Sequence, residues 1–120
     1  MILVDASLWI EHLRSGHGAL AEQLEDGRVS CHPFVIGELA CGHLTDRETV
    51  IALLRALPTV ETTDHEEVLK FIDMHELAGS GLGYVDMHLL GSAMLSGTPL
   101  WTLDRGLRKA ARRLGVEHVV

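Results

Sequence analysis

The sequence predicts an α/β domain, a three-layer α/β/α sandwich whose central parallel sheet has about four to five strands. Three observations lead there. Short apolar runs alternate with longer segments of helical apolar spacing, and strands separated by helices pair in parallel with both sheet faces covered. The 120 residues, 47% apolar and 22% charged, suffice for one domain spanning 1–120 with its own core, and exclude intrinsic disorder. No repeat, low-complexity tract or linker interrupts the alternation.

The elements follow in order. Ile2, Leu3 and Val4 read as a buried strand, followed by helices over about 7–14 and 19–25, the second stopped by Gly27. Residues 28–31 form a second strand, and Pro33 opens a helix to about Cys41. Thr45 and Glu48 have the spacing of a capping box for a helix that Pro58 stops. Thr59, Val60 and Glu61 are a weak strand, and Asp64 caps a helix to about Leu77. Glycines 79, 81 and 83 make a loop ahead of a very apolar helix over about 85–95. A strand at 100–102, a basic helix over 105–114 and a closing strand over 116–120 complete the chain.

Aromatic residues are only 4%, so aliphatic packing must dominate the core, with Trp9 and Trp101 in it. Two cysteines, Cys31 and Cys41, make neither a disulfide framework nor a four-cysteine zinc site, and read as small buried thiols. The first residues lack a basic leader, and the longest stretch without charge, 87–103, contains Gly91, Gly97 and Pro99. The expectation is a cytoplasmic protein that does not cross a membrane. Eight histidines invite a zinc reading, but His65-Glu66 and His75-Glu76 are followed by Leu69 and Gly79 where a zincin needs its second histidine. His88 is assigned to core packing. The glycine loop follows a helix and lacks Gly-Lys-Ser/Thr, so it is no phosphate loop.

Four carboxylates stand alone in apolar sequence. Asp5 follows the first strand, Glu38 sits inside the helix that Pro33 opens, Asp86 lies in the first turn of the apolar helix, and Asp104 follows the strand at 100–102. An ionised carboxylate is costly to bury without a cation, strong hydrogen bonds or a raised pKa. Asp5 and Asp104 fall at the carboxyl ends of strands, the edge where open parallel sheets bind ligands. Four convergent oxygen donors suit Mg²⁺ or Mn²⁺. Taken singly, Asp5 and Asp104 also read as helix caps and Asp86 as a partner of its helix dipole, whereas Glu38 fits no cap.

In their order and contexts these residues resemble the PIN-domain family, in particular its VapC toxin ribonucleases. Ile2-Leu3-Val4-Asp5-Ala6-Ser7 is similar to the family's opening strand, acid and hydroxyl. Glu38 in Ile36-Gly37-Glu38-Leu39, Asp86 before its long apolar helix, and Thr102-Leu103-Asp104 resemble the remaining acids. Two positions depart from the family pattern: Leu107 stands where an aromatic residue is frequent, and Met87-His88 replaces small or polar residues. The resemblance implies a Mg²⁺- or Mn²⁺-dependent endoribonuclease toxin with Asp5, Glu38, Asp86 and Asp104 as metal cluster and catalytic acids. It implies Ser7 and Thr102 as hydroxyls orienting them, a cognate antitoxin, and a homodimer. The early helices, with Leu8, Trp9, Leu39 and Leu44, are the expected face for antitoxin or second subunit.

The charge distribution agrees with RNA as substrate. The formal net charge is −7, yet residues 101–120 hold five cations against two acids. Arg105, Arg108, Lys109 and Arg112 follow i, i+3, i+4, i+7 and share one helical face, expected to contact an RNA backbone. Three other readings compete. A haloacid-dehalogenase-like phosphotransferase wants a second Asp where Ser7 stands; a phospho-receiver domain wants an acidic pair and a late Lys; an inactive PIN-like binding module should have lost an acid, and none of the four is missing.

Overall fold

In the computed structural model, which describes residues 1–120, three strands form a parallel sheet in the order β2-β1-β3. The strands β1 (Ile2–Val4), β2 (Val29–Ser30) and β3 (Leu100–Trp101) are short, and β1 is central. Ile2 pairs with Val29 and Leu3 with Ser30 on one side; Leu3 pairs with Leu100 and Val4 with Trp101 on the other. Successive strand residues point to opposite faces, and all three residues of β1 are buried, so both faces are covered.

Seven helices cover it: α1 (Ala6–Ser15), α2 (Gly18–Glu25), α3 (Pro33–Cys41), α4 (Arg47–Ala56), α5 (His65–Met74), α6 (Tyr84–Ser96) and α7 (Arg105–Arg113). The core is aliphatic, with Leu3, Leu8, Leu20, Leu89, Leu90, Leu100 and Leu107 fully buried and Trp9 and Trp101 packed among them. In α6 every residue from Met87 to Ala93 is buried, as its apolar run requires. No helix is long and apolar enough to cross a membrane.

The sheet is narrower than the predicted four to five strands. Thr59 and Glu117 each make one parallel bridge, to Cys31 and Leu100. The backbone bonds there are real, Cys31 N–H to Pro58 O at 2.8 Å and Leu100 N–H to Val116 O at 2.7 Å, but they stop after one residue. The reason lies in their neighbours: α3 begins at Pro33 and α7 at Arg105, leaving β2 and β3 too short to template longer partners.

The capping box at Thr45 and Glu48 is also absent. Asp46 occupies the N-cap of α4 with φ 53° and ψ 47°, and its side chain caps nothing. A short polar residue tolerates this left-handed turn, which carries the chain into the helix without a side-chain cap. Asp64 caps α5 as expected, and the cap is a full box, with Glu67 N–H to Asp64 Oδ1 at 2.8 Å and Asp64 N–H to Glu67 Oε1 at 3.1 Å. Cys31 is buried, but Cys41 is exposed at the end of α3.

Candidate active site

The carboxyl edge of the sheet places Asp5 at its centre. Pairing continues one residue past β1, where Asp5 N–H donates to Trp101 O at 3.1 Å, and the chain then turns into α1 with Asp5 as N-cap. The carboxylate is only 6% exposed. Ser7 Oγ donates to its Oδ1 at 2.6 Å, Thr102 Oγ1 donates to its Oδ2 at 2.7 Å, and Leu8 N–H reaches Oδ1 at 3.4 Å. The hydroxyls are themselves fixed: Leu103 N–H donates to Ser7 Oγ and Asp104 N–H to Thr102 Oγ1, each at 3.0 Å. Burial pushes the Asp5 carboxyl up; the hydroxyl and N–H donors oppose it, and the charge of Asp86 adds to it.

Asp86 lies in the first turn of α6 and is half-buried. Its Oδ2 accepts Gly83 N–H at 3.0 Å, which ties the carboxylate to the helix start. Glu38 projects from the middle of α3, as expected, but is exposed and makes no protein hydrogen bond. Its carboxyl is also raised, by partial desolvation and then by the charges of Asp86 and Asp5. The charge of Asp86 therefore reaches both Asp5 and Glu38. Asp104 stands apart: it is exposed, and its Oδ1 caps α7 through Gly106 N–H at 2.8 Å and Leu107 N–H at 3.3 Å. Its link to the others runs through its own N–H and the Thr102 hydroxyl. The expectation of four costly carboxylates holds by burial for Asp5 alone; Glu38 and Asp104 face solvent, because a mid-helix position and a helix cap at the domain rim leave the head group in water.

No three His, Cys, Asp or Glu side chains converge closely enough to enclose an ion by themselves. The donor set nonetheless fits a hard divalent cation. It is all oxygen, it is crowded with like charge, and Mg²⁺ keeps several waters rather than demanding a full protein cage.

Residues 2–113 match the family model described as PIN domain. The chain belongs to the PIN-domain family. It is 47% identical over 117 residues to Ribonuclease VapC32 of Mycobacterium tuberculosis (strain CDC 1551 / Oshkosh), a match covering 97% of this chain and 94% of that relative. Ribonuclease VapC32 of strain ATCC 25618 / H37Rv matches with the same identity and coverage.

Two further surfaces flank the acids of this PIN domain. Arg105, Arg108, Lys109 and Arg112 line one shallow concavity on α7 of about 260 Å³. Arg112 Nε also meets Glu117 Oε2 at 3.0 Å, and Arg113 donates to His75 O at 2.8 Å. Between α1, α3 and α4 lies a larger cavity of about 680 Å³, lined in part by Ile10, Leu13, Glu38, Leu44 and Val50. Leu39 of α3 lines this cavity although it is buried, whereas Leu8 and Trp9, expected on the same face, are core residues; α1 turns them inward and shows Ile10 and Leu13 to solvent.

The sequence offered no signal for a cluster of rings on the two helices that carry Glu38 and Asp86. His88 is buried, as expected, and Phe34 and Tyr84 pack against it with ring centroids 4.7 and 4.6 Å away. His32 unexpectedly serves as N-cap of α3, its Nδ1 accepting Phe34 N–H at 2.9 Å. The rings come from α3 and α6, so only the fold assembles them.

Proposed function

We propose that the chain is a divalent-metal-dependent endoribonuclease, the toxin of a toxin–antitoxin pair, and that Asp5, Glu38, Asp86 and Asp104 are its catalytic acids. The observation that carries this reading is the shared electrostatic neighbourhood of Asp5, Glu38 and Asp86 at the carboxyl edge of the sheet, in a PIN domain that resembles named ribonucleases. Mg²⁺ or Mn²⁺ is the cation, held by Asp5, Asp86 and Glu38 with water, and Asp104 at the rim. Bound there, such an ion supplies an activated water and neutralises charge on the phosphate.

The chain's own residues do the rest. Ser7 and Thr102 fix both Asp5 oxygens and favour the ionised carboxylate against its burial. Gly83 N–H orients Asp86. Glu38, unbonded on α3, is free to reach toward the other two acids. Arg105, Arg108, Lys109 and Arg112 bind the phosphate backbone, a contact that carries no sequence information and weakens with salt. The antitoxin, or a second copy in a homodimer, covers the cavity edged by Ile10 and Leu13. RNA and an antitoxin as partners place the work in the cytoplasm.

The test is cleavage of single-stranded RNA by the purified chain. Cleavage is expected with Mg²⁺ or Mn²⁺, lost with EDTA, and reduced about a hundredfold or more in Asp86→Asn, the scale of removing one charge-stabilising group from an active site. Cleavage that persists through both would end the metal-nuclease reading.

A further inference from the structure

Aromatic residues are rare here: two Trp, two Phe and one Tyr. Both Trp are buried, and Phe71 is half-buried against His75 with a ring separation of 4.7 Å. The two that remain exposed, Phe34 at 41% and Tyr84 at 44%, are not scattered. Both lean on the same buried ring, His88, at interplanar angles of 70° and 79°, so each is braced on one side and open on the other. The bracing extends outward. His65 Nδ1 meets Tyr84 OH at 2.7 Å, and His32 packs on Phe34 with centroids 5.2 Å apart.

Their position in the chain gives the patch its meaning. Phe34 is one helical turn before Glu38 on α3, and Tyr84 opens α6 two residues before Asp86. Hydrophobic packing alone does not account for two large rings packed on one buried histidine yet half in water, on the two helices that carry two of the acids. A nucleobase does: it has a flat apolar face, stacks on any aromatic ring, and is tethered to the phosphate that the acids act on.

We propose that Phe34 and Tyr84, braced by His88, form a stacking platform for nucleobases that flank the scissile phosphate, and so position the RNA on the acids. This rests on the ribonuclease reading. The cations of α7 hold the backbone on the Asp104 side, and the platform holds bases on the Glu38 and Asp86 side. Stacking needs a base outside a duplex, so paired RNA is discriminated against without any hydrogen-bond code.

The experiment measures binding of a short labelled oligouridylate by anisotropy in EDTA, together with the same oligomer annealed into a duplex and an abasic ribose-phosphate oligomer. The wild-type chain should prefer the single strand. Phe34→Ala and Tyr84→Ala should each weaken it about 5- to 100-fold, the range of base-on-ring stacking, and leave the abasic oligomer unaffected. Phe34→Trp should retain binding, while Phe34→Leu, which keeps apolar bulk without a ring face, should not. With Mg²⁺ present, the loss should fall on KM more than on kcat. Variants that keep the wild-type Tm and bind the single strand normally would overturn the platform, as would equal losses on the abasic oligomer. If RNA is cut in a metal- and Asp86-dependent way while the variants change nothing, only the platform falls. A wild-type chain that neither binds nor cuts RNA removes both readings.

Discussion

Two strand-to-helix junctions place a buried titratable side chain in the same structural position and treat it in opposite ways. Asp5 follows β1 and caps α1; His32 follows the β2 segment and caps α3. At both, burial disfavours the charged form. It raises the Asp5 carboxyl, and with the charge of His88 it pushes the His32 imidazole down to about 4. The surroundings then diverge. Asp5 receives two hydroxyls and a helix N–H, all donors that favour a carboxylate. His32 receives one N–H at Nδ1, which assigns the ring proton to Nε2, and Nε2 has no protein partner. One junction surrounds a carboxylate with donors; the other keeps a neutral ring as a helix cap.

Acid should break the second junction first. The folded His32 pKa of about 4 lies below its ordinary 6.5, so the unfolded chain binds the extra proton between those values. Stability from this group is full above pH 6.5 and is lost as pH falls toward 4, by about 3 kcal/mol. His32→Asn keeps a capping side chain without the titration, and denaturant midpoints from pH 7 to 4 should fall less steeply than in wild type. Parallel slopes would remove His32 as the source.

Cation binding should act at the first junction alone. Mg²⁺ at a hundredfold excess over its Kd should stabilise the wild-type chain by about 2.7 kcal/mol, a Tm rise of roughly 10 °C. Asp5→Asn should abolish that rise, and His32→Asn should leave it intact. An equal rise in both variants would place the ion elsewhere.

The smallest effect concerns the hydroxyls. Thr102→Val conserves shape but removes the donor to Asp5 Oδ2 and the acceptor for Asp104 N–H. A loss of about 1–2 kcal/mol by urea unfolding is expected, with the acid limb set by His32 unchanged. A neutral substitution would mean that Ser7 and the Leu8 N–H suffice to hold the carboxylate.

These two junctions also mark what was legible in the sequence. Asp5 stood out as the one acid in its stretch, directly after the apolar Ile2-Leu3-Val4, and Ser7 and Thr102 were readable as its hydroxyl partners. His32 carried no such mark: histidine is an uncommon cap, and its role depends on burial beneath residues distant in sequence. The strands expected over 59–61 and 116–120 shrink to single bridges for a related reason. A strand exists only as far as its neighbour extends, and β2 and β3 end after two residues. Burial was likewise hidden at Glu38, whose apolar neighbours Val35 and Leu39 face the core while it does not. The ring cluster of Phe34, Tyr84 and His88 belongs to the same class, since no local pattern couples α3 to α6.

The bond from Thr102 to Asp5 spans 97 positions of the chain. At a synthesis rate of about 5–20 residues per second, Asp5 emerges roughly 5–20 s before the hydroxyl that holds it. During that interval β1 lacks its partner β3 and the carboxylate lacks one of its three donors. The nascent chain therefore carries an unfinished junction at Asp5 until residue 102 has been made.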